Sequence, residues 1–132
     1  MSETRVEFYG HYSEVAAWHW PSFTPAEIAC KGSGELLIDF DAMDRLQALR
    51  NAVGVPVVLN SAYRSEAHNK AVGGAPKSMH RLGRAFDVKI TPRLSRETIK
   101  QAARAAGFSG FGDYNSFVHI DTGKARHWDF RK

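Results

Sequence analysis

Two stretches of the chain carry imidazole and carboxylate side chains that one metal ion could bind together. His80 and Asp87 lie in the first stretch, and His119 lies in the second, further along the chain. Zinc accepts imidazole nitrogen and carboxylate oxygen as ligands, and three protein ligands leave a fourth position open for water, as in catalytic zinc sites. Closed structural zinc sites often rely on several cysteines. Cys30 is the only cysteine, so the sequence excludes a closed site built from thiolates.

Strand alternation predicts how some of these side chains are oriented. In a β-strand, residues two apart face the same side of the sheet. His119 and Asp121 therefore share one face of a strand predicted at 116–121, while Val118 and Ile120 point into the core. Each histidine or carboxylate taken alone also fits an ordinary surface, capping or packing role. The spacing by itself therefore does not name a metal.

Helix and strand signals alternate irregularly along the chain. Thr24 and Glu27 form the pattern of a capping box around Pro25, which marks a helix start. Further helices are predicted over 39–53, 65–72 and 95–106, and strands over 56–60, 84–90 and 116–121, with a glycine-rich turn at 107–112. Because no regular βαβα repeat is present, the pattern predicts an α+β fold in which helices flank a small, largely antiparallel sheet.

Length and composition predict one folded unit. The 132 residues are 43% hydrophobic, enough for a modest core, so we expect a single domain over residues 1–132. Cys30 can form no internal disulfide, and we expect it to be a small buried residue. No apolar run is long enough to span a membrane. Acidic residues near the N-terminus do not fit a secretion signal, so we expect synthesis in the cytoplasm.

The charge of the chain favours anionic surroundings. The formal net charge is +4 at pH 7, which suits nucleic acid, anionic lipid or the bacterial cell wall. The basic residues are scattered along the chain rather than gathered in one run. We therefore expect no nucleic-acid partner, and we expect the protein to be a monomer.

Three motifs occur together in this chain: Ser61-x-Tyr63-Arg64-Ser65, then Ser78-x-His80-x-x-Gly83-x-Ala85-x-Asp87, then Val118-His119-Ile120-Asp121-Thr122-Gly123. In this combination the chain resembles the D-alanyl-D-alanine metallopeptidase family over residues 23–128. The family includes zinc D-Ala-D-Ala carboxypeptidases, VanX-type dipeptidases and phage L-Ala-D-Glu endolysins, and it shares its fold with the hedgehog signalling domain. Within the family, the chain is most similar to the compact subgroup found in phages, prophages and gene-transfer particles.

The resemblance implies a role for each matching residue. His80, Asp87 and His119 would bind Zn²⁺. Arg64 would steady the substrate and the carbonyl oxygen as it gains charge, although a structural salt bridge is the alternative. Ser78 would contact the substrate or the loop backbone. Aromatic residues could line the cleft beside the metal, and these are Tyr63, Tyr114, Phe117 and Trp128.

One position departs from the family pattern. Many members carry a general-base glutamate or histidine just before the last zinc-binding histidine, where this chain has Ser116 and Phe117. Neither side chain accepts a proton from water at neutral pH, so the base must come from elsewhere. Asp121 is the best candidate, with orientation of a ligand histidine or a turn at 121–123 as its alternatives. Asp113 and His127 are weaker candidates.

The function expected from the resemblance is hydrolysis of peptidoglycan stem peptides by a zinc metallopeptidase. Cleavage between L-Ala and D-Glu, as in an endolysin, is the first expectation. The alternatives are a D-Ala-D-Ala carboxypeptidase and a metal-holding domain that binds the cell wall without catalysis. Since no signal sequence is visible, we expect a holin or a particle to deliver the protein to the wall.

Overall fold

The computed structural model describes residues 5–132 and contains seven strands and four α-helices among them. The strands are β1 (Val6–Tyr9), β2 (Leu36–Asp39), β3 (Leu59–Ser61), β4 (Ala85–Lys89), β5 (Gly110–Asp113), β6 (Phe117–Asp121) and β7 (Arg126–Asp129). The helices are α1 (Pro25–Ile28), α2 (Phe40–Val53), α3 (Glu66–Ala71) and α4 (Arg96–Ala106). A 3₁₀ turn at Met79–Leu82 precedes β4.

Five strands form the sheet that carries the motifs. Their order is β3-β4-β6-β5-β7, and neighbours run antiparallel except for β5 and β7, which are parallel. The register places Asp87 opposite His119, His119 opposite Gly112, and Gly112 opposite Trp128. One row across four strands therefore contains two candidate metal ligands and an aromatic ring. The two remaining strands, β1 and β2, form a separate antiparallel pair.

The opposite face of the sheet packs against helices. Val118 and Ile120 of β6 are fully buried in one hydrophobic cluster with Leu46 and Leu49 of α2 and Ile99 of α4. Helices α2 and α4 also pack against each other. The alternation predicted for β6 is thus confirmed, because its even-numbered side chains enter the core and leave the odd-numbered ones for the other face.

Local end signals set the helix boundaries. The Thr24 side chain accepts a hydrogen bond from the backbone N–H of Glu27, and Glu27 completes the capping box. The Asp39 and Ser95 side chains cap α2 and α4 by accepting from the backbone N–H groups of Ala42 and Thr98. Gly54 ends α2 with a φ of 66°, in the left-handed region that favours glycine.

The α+β fold with a small, largely antiparallel sheet is confirmed, and several boundaries are corrected. The predicted strand at 56–60 begins later, at Leu59, with an irregular register between Leu59 and Ser61. The predicted turn at 107–112 is wrong in its second half, since Gly110–Asp113 is β5. Strands β1, β2 and β7 were not predicted. Cys30 is buried, as expected. Among the described residues, no helix has the length and apolar character needed to cross a bilayer.

Candidate metal centre

Three side chains converge where β4 and β6 meet the 3₁₀ turn. His80, Asp87 and His119 each offer a ligand atom, and these atoms lie within 4.8 Å of one another. All three residues are buried. Asp87 Oδ1 lies 3.2 Å from His80 Nε2 and 3.1 Å from His119 Nδ1, so one carboxylate oxygen faces both imidazoles. The structure therefore brings together the three metal ligands implied by the motifs.

The outer nitrogen of each imidazole is held by a protein acceptor. His80 Nδ1 donates to the Ala62 carbonyl oxygen at 2.6 Å, which leaves Nε2 facing the centre. His119 Nε2 donates to Asp121 Oδ2 at 2.7 Å, which leaves Nδ1 facing the centre. Hydrogen bonds of this kind fix the tautomer and ring orientation of metal-binding histidines. The groups that surround the two histidines therefore also suit metal binding, because they turn one nitrogen of each ring toward the centre.

Asp121 lies behind His119 rather than beside the open part of the site. Its carboxylate is fully buried and also accepts hydrogen bonds from the Gly123 N–H at 2.9 Å and from Arg126 Nη2 at 3.3 Å. Burial opposes ionisation, but His119, the Gly123 N–H and Arg126 together outweigh it, and the pKa of Asp121 is lowered below its ordinary value. Of the roles predicted for Asp121, its contacts support the two alternatives to the base: orientation of His119 through Oδ2 and the turn at 121–123 through Oδ1.

The surroundings of the centre shift the pKa values of Asp87 and His119 in opposite directions. Burial disfavours the ionised form of Asp87, yet the bonds from His119 and His80 prevail and hold the pKa of Asp87 well below its ordinary value. Burial also disfavours protonation of His119, but Asp121 and Asp87 outweigh that effect and raise the pKa of His119. The first shift keeps Asp87 ionised beside the two imidazoles, and the second reflects the two carboxylates that flank His119. Two imidazoles and one carboxylate are a donor set that zinc accepts with a position left open.

Arg64 reaches the centre from the chain that leaves β3. Its Nη2 donates to Asp87 Oδ2 at 3.3 Å, Nε donates to Ser61 at 3.1 Å, and Nη1 donates to Asn69 at 3.2 Å. Asn69 is buried and is itself fixed, because its Nδ2 donates to the Ala75 carbonyl oxygen. The guanidinium is thus held in one position at the edge of the site. The structure contains the salt bridge to Asp87, and the role of Arg64 toward a substrate stays a prediction.

A cavity of about 770 Å³ opens over the metal ligands. Arg64 and Ser78 line it, as do three of the four aromatic residues expected there, Tyr114, Phe117 and Trp128. Tyr63 is buried and does not belong to the lining, so its position gives no support to a substrate contact. The Ser78 hydroxyl accepts a bond from the His80 N–H and caps the 3₁₀ turn.

Strand β7 completes the cavity wall, and sequence reasoning did not anticipate it. The Trp128 ring lies 4.9 Å from the His119 ring, and its Nε1 donates to the Tyr114 hydroxyl at 3.0 Å. A Cβ at Gly112 would meet the Trp128 ring, and one at Gly110 would meet the Asp121 carboxylate. The alternating glycines of β5 were the available signal, because a strand without side chains on one face leaves room for its neighbours' side chains.

The two weaker candidates for the base are engaged with each other. His127 Nε2 lies 2.8 Å from Asp113 Oδ2, and Asp113 also accepts bonds from Arg96 and Lys100 of α4. Asp113 is almost fully buried and does not belong to the cavity lining. These contacts tie β7 to α4 and support a structural role for Asp113.

Comparison with known proteins assigns the chain to a family. The family model for Peptidase M15 matches residues 21–121. The chain belongs to the Peptidase M15 family. The predicted resemblance is confirmed at this level, while assignment to the compact phage or gene-transfer-particle subgroup stays a prediction. Family membership and the donor set agree with Zn²⁺ as the cofactor.

Curated relatives of the M15 domain share more than a third of their aligned residues with it. Peptidoglycan L,D-endopeptidase MepK of Escherichia coli (strain K12) is 40% identical over 100 residues, covering 69% of this chain and 54% of MepK. MepK of Shigella flexneri gives the same values. Zinc D-Ala-D-Ala carboxypeptidase of Streptomyces albus G is 36% identical over 92 residues, covering 65% of this chain and 36% of that protein. The chain thus spans about half the length of MepK.

Proposed function

We propose that this M15 domain is a zinc-dependent peptidase that hydrolyses the peptides of peptidoglycan. The observation that carries the proposal is the convergence of His80, Asp87 and His119 at the base of an open cavity. The relatives support the substrate class, since one is named a peptidoglycan endopeptidase and another a zinc D-Ala-D-Ala carboxypeptidase.

Each side chain of the centre has a separate task in this proposal. His80, Asp87 and His119 hold the zinc ion. When bound, zinc lowers the pKa of a coordinated water to about 7 and polarises a carbonyl group. Arg64, fixed beside Asp87, provides positive charge at the place where the peptide carbonyl oxygen gains negative charge. Ser78 shapes the turn that presents His80.

Asp121 acts in this proposal as a positioning residue. It accepts the Nε2–H of His119, and its full burial keeps it away from the cavity. The carboxylate therefore makes His119 Nδ1 a better metal ligand and keeps the ring in place. The role of Asp121 as the general base stays a prediction, and the burial of its carboxylate argues against that role.

For the bond that is cleaved, we propose endopeptidase action, with the L-Ala–D-Glu bond first. Two observations support this order: the higher identity to an L,D-endopeptidase than to a carboxypeptidase, and the motifs shared with L-Ala-D-Glu endolysins. Removal of a terminal D-Ala is the alternative. Delivery to the wall by a holin or a particle stays a prediction.

The test is release of new amino groups from purified peptidoglycan, with the fragments identified by mass spectrometry. Zinc-loaded protein should release fragments, a chelator should stop the release, and added zinc should restore it. His119→Ala should be inactive, whereas His19→Ala, at an exposed histidine outside the cavity, should retain activity. Fragments cut after L-Ala support the endopeptidase, and loss of terminal D-Ala supports the carboxypeptidase.

A second candidate function is wall binding without catalysis. It is favoured by one observation: within residues 5–132, Asp87 is the sole carboxylate that lines the cavity, and it is a candidate metal ligand. The remaining base candidate in the lining is His127, whose Nε2 is already engaged with the buried Asp113. Sedimentation of fully metallated protein with peptidoglycan, without release of amino groups, would favour this candidate over the peptidase.

A further inference from the structure

The two arginines that line the cavity have different surroundings. Each of the three side-chain nitrogens of Arg64 already donates to a protein oxygen, and only 16% of the side chain is exposed. Arg64 is therefore largely committed to the protein. A ligand carboxylate would have to compete with Asp87, whose Oδ2 accepts from Nη2. The fixed charge of Arg64 suits an oxygen that gains charge during the reaction better than a permanent anion.

Arg126 on β7 has more free donors than Arg64, since among the described residues only one of its side-chain nitrogens is engaged. In the part of the chain that the structure describes, its guanidinium has one hydrogen-bond acceptor, Asp121 Oδ2, at 3.3 Å. The side chain is 49% exposed and lines the cavity. The Arg126 Cζ lies 4.5 Å from the centre of the Trp128 ring. This cation–π contact and the bond to Asp121 fix the plane of the guanidinium while leaving Nε and Nη1 available.

Asp121 sets where Arg126 lies relative to the metal ligands. The same carboxylate oxygen, Oδ2, accepts from His119 Nε2 and from Arg126 Nη2. The guanidinium is therefore separated from a metal ligand by a single oxygen atom. Arg126 and His119 line the same cavity, so a group bound by Arg126 would share that cavity with a peptide whose carbonyl is at the centre. A planar guanidinium with two free nitrogens matches a carboxylate in charge and geometry.

We propose that Arg126 binds a free carboxylate of the substrate, carried by a residue next to the cleaved peptide bond. This inference rests on the proposed peptidase function. The carboxylate has two possible sources. It can be the free carboxylate that D-Glu keeps beside an L-Ala–D-Glu bond, or the C-terminal carboxylate of a D-Ala–D-Ala peptide. Both present the same chemistry to Arg126, and the choice between them follows from the substrates tested.

The experiment compares two pairs of synthetic peptides. One pair contains L-Ala–D-Glu with the D-Glu carboxylate free or amidated, and the other ends in D-Ala–D-Ala with the C-terminus free or amidated. The zinc-loaded wild type should show a kcat/KM about 10- to 100-fold higher for the free acid in one pair. This ratio corresponds to the free energy of one charge-assisted hydrogen bond. The pair with this preference identifies the source of the carboxylate.

The variant Arg126→Gln should lose the preference for the free acid. Its ratio of kcat/KM values within one peptide pair is the decisive readout, because any loss transmitted through Asp121 and His119 affects both peptides equally and cancels. Arg131→Gln is the matched control. Arg131 is 47% exposed, pairs with Asp129 and lies outside the cavity lining, so its variant should keep the preference. Zinc content is measured for each protein.

The outcomes separate this inference from the proposed function. Cleavage without an acid preference in either pair, or an unchanged ratio in Arg126→Gln, overturns the inference and leaves the peptidase intact. If none of the four peptides is cleaved, their binding to the zinc-loaded protein is measured by calorimetry instead. Tighter binding of a free acid by the wild type, lost in Arg126→Gln, supports the inference while the peptidase fails. Equal or absent binding then overturns both.

Discussion

Replacing Asp121 by asparagine tests whether this residue orients His119. Asparagine has nearly the same shape and keeps an oxygen that can accept from His119 Nε2, now 2.7 Å from the aspartate. It loses the negative charge, and its NH₂ group replaces the oxygen that accepts from the Gly123 N–H. A hydrogen bond with a charged partner contributes about 1.5–3 kcal/mol and a neutral one about 0.5–1.5 kcal/mol. The difference, about 1–2 kcal/mol, predicts zinc binding weaker by roughly 5- to 30-fold.

The assay measures zinc affinity and turnover separately. Zinc Kd is determined by competition with a chromophoric chelator, and turnover is measured with peptidoglycan at saturating zinc. If Asp121 only orients His119, most of the turnover returns once zinc is saturating. A general base predicts the opposite: unchanged zinc affinity and a loss of roughly 10²- to 10⁴-fold in rate that zinc does not restore. That second result would refute the positioning role. Asp129→Asn, at an exposed carboxylate of β7, should change neither quantity.

Three further predictions concern stability and packing. Gly112→Ala should displace the Trp128 ring from His119, since the added Cβ meets that ring. The free energy of unfolding, measured with denaturant, should fall by about 1–3 kcal/mol, and the tryptophan fluorescence should change. Bound zinc at 100 times its Kd should stabilise the fold by about 2.7 kcal/mol, seen as a Tm that falls on chelation in the wild type but not in His119→Ala. Asp113→Asn should cost on the order of 3 kcal/mol at pH 7. Burial opposes ionisation of Asp113, but bonds from Lys100, His127 and Arg96 hold its pKa well below the ordinary value. The group therefore stabilises the fold above about pH 4, and the difference between wild type and Asp113→Asn should shrink as the pH falls further. A difference that stays constant down to pH 2 would contradict this assignment.

Much of the helical structure could be read from short segments. Caps such as Thr24 and Ser95 and the left-handed Gly54 act through hydrogen bonds and backbone preferences within one turn. The strand at 117–121 was equally readable, because its alternation between core and site side chains is strict. These signals need no knowledge of the rest of the chain, and the predictions that depended on them agree with the structure.

Strands that depend on distant partners were missed. Gly110–Asp113 has glycine at alternate positions and reads as a turn, yet it is held between β6 and β7. Arg126–Asp129 is mostly exposed and gains its order from parallel pairing with β5. Local propensity is weak in both segments, and cross-strand contacts decide their conformation.

The family could be obtained from the sequence, because the three motifs are specific in combination, and the resemblance implied His80, Asp87 and His119 as candidate metal ligands. The assignment of the surrounding side chains needed the tertiary structure. Strand pairing brings Arg126 to Asp121, and full burial makes Asp121 a partner of His119 rather than a group facing the cavity. Residue identity fixes what a side chain can do chemically, but only the packed sheet determines its neighbours, its exposure and therefore which task it performs.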